Sequence, residues 1–338
     1  MTRTNQLTTL LTVAMLMLPL AANGQTYRVV DLGTLSGTQS FGNAINARGT
    51  AAGSATVDPD IFTHAFSYTR KGGIVDLGTL GGDLSIGNGI NTTGSVVGGS
   101  QLAGDFQFDA FLYKGAMADL GTLGGQFSNA TGINAASQVV GASTVVGEGA
   151  THAFYWDATH GIKDLGTLGG NNSQANAING AGKVVGSADL ADGVTTDAAT
   201  WDKKGIHDLG NLGGGSAVLN AVGAEGRAAG SSTTATGETH AVLTSKSGLQ
   251  DLGTLGGTFS VANGISEDAV VGTSTDAGDV NNLAFIWTKS KGMVDLNTRI
   301  SPTSGWVLQT GNAVNDEGQI VGTGTINGTT HAFLLTDK

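Results

Sequence analysis

Two residue types recur along this chain at fixed spacing and could act together chemically. Aspartate opens the tripeptide Asp-Leu-Gly at Asp31, Asp76, Asp119, Asp164, Asp208 and Asp251, and a degenerate copy starts at Asp295. Histidine opens His-Ala-Phe, or a variant of it, at His64, His152, His240 and His331. Asp and His brought to one place can form an acid–base pair or ligate a metal. Catalysis needs such a pair once, however, and this aspartate is copied seven times. No Ser-His-Asp arrangement or His-x-x-x-His spacing stands out. Recurrence at fixed positions points instead to hydrogen bonds that hold turns and neighbouring strands. The repeated Gly-Thr-Leu-Gly-Gly lacks the Lys-Ser/Thr of a phosphate loop and precedes no helix pattern. It reads as a glycine-rich crossover.

Residues that differ between copies are better candidates for a site. The segments joining Val-Val-Gly to His-Ala-Phe vary most and carry Asp58 and Asp60, Asp105, Glu148, Asp189 and Asp192, then Asp276 and Asp279. Carboxylates gathered on one rim suit Ca²⁺ coordination or hydrogen bonding to sugar hydroxyls, or simply form a solvated acidic surface. Phe127 and Phe259 occupy equivalent places where other copies have Leu84 and Asn172. Serines follow at Ser40, Ser85, Ser128, Ser173 and Ser260, with Ser216 one place earlier, and are expected around the mouth of a central channel. The seventh copy breaks the pattern with Arg299 and Trp306, which either contact a ligand by ion pairing and stacking or pack where the ring closes.

The elements that position these residues follow from the repeat. The Asp-Leu-Gly copies are 43 to 45 residues apart, and five of the seven continue as Asp-Leu-Gly-Thr-Leu, far beyond chance. Each unit contains four short segments: an apolar lead into Asp-Leu-Gly, one ending in Ile-Asn, a Val-Val-Gly run, and the His-Ala-Phe segment. All are four to six residues long, rich in β-branched and aromatic residues, and bounded by Gly, Asn or Asp, which is strand chemistry. Four hairpin-linked strands in about 44 residues specify a propeller blade rather than a coil of a parallel β-solenoid. We expect an all-β chain forming a seven-bladed β-propeller of four-stranded blades. A blade running from the Ile-Asn strand to the Asp-Leu-Gly strand leaves the last blade one strand short. The N-terminal strand, Tyr27 to Leu32, is expected to supply it and close the ring.

The motifs DLGTLGG, GIN, VVG and HAF recur in order over nearly all of residues 25–338, and in this the chain resembles the HAF-repeat family of extracellular bacterial proteins. Four copies depart at the His-Ala-Phe strand, with Asp109-Ala110-Phe111, Asp197-Ala198-Ala199, His240-Ala241-Val242 and Leu283-Ala284-Phe285. The resemblance implies an exported repeat protein and carries no activity with it.

The bulk properties agree with that reading. The chain has 338 residues, a net charge of −11, 56 glycines, three prolines and no cysteine. Disulfides and a thiol nucleophile are therefore excluded, and an acidic surface disfavours nucleic acid. Arg3, the apolar run Leu10 to Leu20 and Ala22-Asn23-Gly24 form a signal peptide over 1–24, cleaved before Gln25, followed by a single seven-repeat domain over 25–338. The apolar run is too short to span a membrane. The expected role is a binding module in the extracellular or periplasmic space, recognising a glycan or a protein through Arg299, Trp306, Phe127, Phe259, Asp189, Asp192, Asp276 and Asp279. No cofactor is expected, apart from Ca²⁺ as one use of the rim. A polysaccharide hydrolase or lyase using two rim carboxylates is the alternative, and a structural matrix protein a third.

Overall fold

A computed structural model describes residues 27–337 apart from Pro59, Asp105 and Glu148. The segment expected to be a signal peptide, 1–24, and two of the rim carboxylates, Asp105 and Glu148, lie outside the described residues. The rest form 28 strands and one 3₁₀ turn, Leu296–Arg299.

The strands pair antiparallel in consecutive quartets. In the second unit the order is Gly81–Ile90, Val96–Leu102, Phe108–Tyr113 and Met117–Asp119, which we call the first to fourth strands. Equivalent quartets lie at 40–76, 124–164, 169–208, 213–251 and 256–295. The seventh unit has three strands, Trp306–Val314, Ile320–Ile326 and Thr329–Asp337, and its fourth is Tyr27–Asp31 from the other end of the chain. That strand runs antiparallel to Thr329–Asp337 from Tyr27 opposite Asp337 to Asp31 opposite Phe333. Most first strands are ten residues long, more than the four to six expected. The Gly-Gly of the crossover already pairs with the second strand, as Gly81 does with Leu102.

Each motif has a local cause. The Asp of Asp-Leu-Gly accepts the N–H of the glycine two residues on, as Asp76 does from Gly78 at 2.8 Å. That turn puts the glycine at φ +73°, a region costly for any residue with a Cβ. The intervening leucine is driven inward, and Leu77 is 7% exposed. The glycine of Val-Val-Gly answers to a different constraint. The first strand shifts register between Gly87 and Gly89, and a Cβ added to Gly98 would lie 1.7 Å from the Ile86 carbonyl oxygen. The Phe111 ring lies against the same spot, 3.0 Å from that Cβ, so the Val-Val-Gly glycine and the His-Ala-Phe phenylalanine form one packing unit.

The core sits between units rather than within them. Val97 and Ala110 of the second unit, for example, pack on Ala130, Val139 and Phe154 of the third. A polar belt runs alongside. Asn43, Asn88, Thr131, Asn176, Asn220, Asn263 and Asn312 each donate to a carbonyl on the next first strand, and the last returns to the first, Asn312 Nδ2 to Gly42 O at 2.8 Å. Five of the six serines expected at a channel mouth, Ser40, Ser85, Ser128, Ser173 and Ser260, are buried instead, and Ser216 is exposed. Ser85 Oγ accepts the Ala65 N–H of the preceding unit at 2.8 Å and donates to Gly78 O at 2.6 Å, and Ser40, Ser128, Ser173 and Ser260 repeat this. In the fifth unit Ala217 takes the place, and the Ala198 N–H bonds Gly210 O directly at 3.2 Å. These serines are latches between units, because a buried N–H and C=O facing each other need a partner.

Candidate binding face

Antiparallel alternation places the crossovers and the second-to-third-strand loops on one side of the molecule, here called upper. The first-to-second loops and third-to-fourth turns lie on the other. All the sequence-derived site residues belong to the upper strand ends, loops and crossovers, Arg299 and Trp306 lying on the crossover into the seventh unit and at its end.

The recurring Asp and His meet there. Nδ1 of His64, His152, His240 and His331 lies 2.9, 2.7, 2.8 and 2.9 Å from the carboxylates of Asp76, Asp164, Asp251 and Asp31. The same carboxylates cap the glycine turns, so each pair ties the third strand to the fourth. In the second and fourth units the histidine is replaced by Asp109 and Asp197, which face Asp119 and Asp208. Burial, opposed by the Gln107 amide and reinforced by the Asp119 charge, pushes Asp109 up to about 6. Asp197 is also raised, first by burial, with Asn211 pulling down and Asp208 pushing up.

Five of the rim carboxylates, Asp60, Asp189, Asp192, Asp276 and Asp279, are fasteners. Asp60 accepts from the Thr56 hydroxyl and from the N–H and hydroxyl of Thr38, and Asp279 accepts the same three bonds from Thr275 and Thr258. Each thus pins its loop to the crossover beside it. Asp192 closes its own loop through Val194 N–H, Thr195 N–H and the Thr195 hydroxyl, and Asp276 does so through Val280 N–H and Asn281. Asp189 reaches across to Asn172 and Thr196. These donors hold Asp60, Asp192, Asp276 and Asp279 below the usual carboxylate range, the hydroxyl or amide side chain being the largest cause in each. Among the described residues, no three or more His, Asp or Glu side chains come close enough to hold a metal ion.

With the acids folded back, the loops present something the sequence reading did not weigh. Ile61, Phe106, Val146, Val194 and Val280 are 70, 93, 81, 85 and 78% exposed, one at the tip of each second-to-third loop in five units. The signal was available as an apolar residue within two positions of the loop's acidic or glycine residue. Phe127 and Phe259 remain 39 and 37% exposed beside these loops. Phe127 stacks on Phe108 of the neighbouring unit with centroids 5.6 Å apart and planes at 12°, so one of its faces is already used. Arg299 and Trp306 are not brought together. Trp306 lies edge-on to His331 and Phe333 at 6.5 and 6.0 Å and joins the buried cluster around Leu308. Arg299 shares a cleft on the outer side with Tyr27, Lys291 and Val294.

No protein-family model and no curated protein matches the chain. Solved structures do. The β-propeller domain of the Trilobed protease from Pyrococcus furiosus, described as having an open velcro topology, superposes with a TM-score of 0.58 at 9% identity, covering 88% of this chain and 96% of that one. This chain folds as a β-propeller. A gluconolactonase from Xanthomonas campestris (TM-score 0.41, 11% identity, 93% and 91% covered) and AofleA from Arthrobotrys oligospora (0.42, 8%, 81% and 91%) are too loosely superposed to bear on it further.

The lower side of the propeller is built differently. The Asn of Ile-Asn organises each lower loop and reaches the next blade, as Asn91 Nδ2 does to Asn134 O at 3.2 Å and Asn134 Nδ2 to Asn179 O at 3.1 Å. In the fifth and sixth blades Gly223 and Ser266 stand in its place. Gly223 has no side chain to bridge with, and the Ser266 hydroxyl turns to Ala269 O in its own loop. A cleft of about 200 Å³ opens there, lined by Glu225, Arg227, Ser266, Glu267 and Asp316. It was not among the sequence-based candidates, although the broken Ile-Asn motif at Val222-Gly223 and Ile265-Ser266 was the sign. Lysine and arginine also collect on this side, among them Arg48, Lys114, Lys183, Lys204, Lys246 and Lys291.

Proposed function

We propose that this protein is an exported binding module: a seven-bladed β-propeller, closed by pairing of its N-terminal strand with the last blade, that engages an extracellular or periplasmic ligand through its upper loops. The observation that carries this is the set of five apolar tips, three of which, Ile61, Val194 and Val280, stand in loops whose aspartates are engaged in hydrogen bonds to the loops and crossovers. An exposed apolar side chain repeated at one structural position favours association, since covering it removes apolar area from water. The alternative of polysaccharide cleavage would require two carboxylates free to transfer protons at one pocket, and the upper aspartates are engaged in holding loops. The exported location rests on the signal-peptide composition of 1–24 and on the HAF-type motifs.

The test is a screen of the protein against a glycan array, with and without Ca²⁺, and against a displayed peptide library. Hits are expected to be lost in Ile61→Ser/Phe106→Ser/Val194→Ser/Val280→Ser and kept in Arg227→Ala/Glu267→Ala. Hits that survive the upper substitutions and vanish with the lower ones would move the function to the other face.

A further inference from the structure

We infer that the upper face docks a basic protein surface carrying its own apolar sockets. This rests on the upper-face reading above and adds the partner's chemistry. The first ground is charge. Among the described residues, the crossovers and second-to-third loops contain one cation, Arg299, and its side chain lies in the outer cleft with Tyr27 and Lys291. The same loops carry Asp60, Asp189, Asp192, Glu238, Asp276 and Asp279. Four of these are held ionised by donated hydrogen bonds, so the charge is fixed in position before a partner arrives. A preorganised set of carboxylates steers a cationic surface and repels an anionic one.

The second ground is the tips themselves. Charge alone would attract any polycation, but Ile61, Val194 and Val280 share loops with the carboxylates and gain only if the partner offers apolar recesses between its basic groups. That combination sorts the possible occupants. A neutral glycan answers the tips weakly and the charge not at all. An anionic bilayer accepts apolar tips but is repelled by the carboxylates. A second copy stacked head to tail would bring the cations of the lower side, yet the large apolar residues exposed by 70% or more all belong to the upper loops. A basic protein surface with apolar pockets satisfies both features together.

Defined probes test this by fluorescence anisotropy on the full chain without its leader: a labelled amphipathic Lys/Leu peptide, a Lys/Ser peptide of the same charge, and a Glu/Leu peptide. The Lys/Leu peptide should bind most tightly, weaken steeply as salt is raised, and lose on the order of tenfold in affinity for Phe106→Ser/Val194→Ser/Val280→Ser. Val194→Lys should weaken it through a like charge, and Arg227→Ala/Glu267→Ala should leave it unchanged. Equal binding of the Lys/Ser or Glu/Leu peptide, or a Lys/Leu affinity indifferent to the tip substitutions, overturns the inference. Phosphatidylcholine vesicles and sedimentation of the protein alone are run alongside. Tip-dependent vesicle binding or self-association would overturn this partner class while leaving the upper-face reading standing. If neither these probes nor the array hits respond to tip substitutions, both readings fail.

Discussion

The two loop sides of this propeller hang from the same strands, yet they spend their polar residues in opposite ways. Above, carboxylates turn inward to fasten loops, as Asp60 and Asp279 do through the same three bonds, and apolar tips are left outermost. Below, asparagine amides bridge from blade to blade, the cations gather, and a cleft opens where Gly223 and Ser266 break that bridge. A repeat therefore constrains the two sides unequally. Lower loops are tied to their neighbours and vary by losing a link. Upper loops are fastened locally by their own acid or the adjacent crossover, and vary freely at the tip. Recognition is expected where variation costs the frame least.

The contrast presumes one shared frame, and Gly98→Ala breaks it for both sides at once. With a Cβ 1.7 Å from a backbone oxygen, the second blade must distort, and the expected loss exceeds about 3 kcal/mol by chemical denaturation. Asn134→Ala strikes the lower side alone. It removes the donor to Asn179 O and the acceptor for Ala136 and Gln138 N–H, costing about 2 kcal/mol with ligand binding above unchanged. Gly223→Asn runs the other way. Its Cβ has room, with the Arg227 carbonyl 3.7 Å away as its nearest neighbour, so restoring the bridge should add up to about 1 kcal/mol and narrow the cleft. Smallest is Asp279→Ala, which should speed amide exchange in the 276–281 loop and at Thr258 with little change in global unfolding.

Acidity separates the upper groups further. Asp109, raised to about 6, keeps its proton in the folded protein where the unfolded chain has lost it. Its contribution is fully present below about pH 4, the ordinary carboxylate value, and is lost as pH rises through 6. The fasteners Asp60, Asp192, Asp276 and Asp279 have the opposite sign: their contribution is present above about pH 4 and is lost as pH falls further. Thermal melts should show wild type losing stability between pH 4 and 7 relative to Asp109→Asn, and upper-loop exchange rising only in stronger acid. A flat difference between the two proteins across that range would remove the Asp109 assignment.

Much of the frame was legible in the residues because a repeat prints its constraints seven times. The spacing of Asp-Leu-Gly, the turn chemistry and the short β-branched runs identified strands, quartets and the strand supplied by Tyr27–Asp31, since all of these follow from local periodicity and one missing edge. That the recurring His and Asp would hydrogen-bond neighbouring strands was legible for the same reason. The site was much less so. The serines looked surface-facing because nothing local reveals that a hydroxyl at Ser85 meets an N–H twenty residues back at Ala65. The acids drew attention because charge is visible in a sequence, whereas the bonds that occupy Asp60 come from Thr38 on a different loop.

By itself, then, the sequence determined the β-strand repeat and which residues could vary, because periodicity of two and turn propensity act over a few neighbours. Only the tertiary structure decided which side chains face outward. That depends on donors and ring faces brought together from separate blades, and it made fasteners of the acids and exposed the apolar residues beside them.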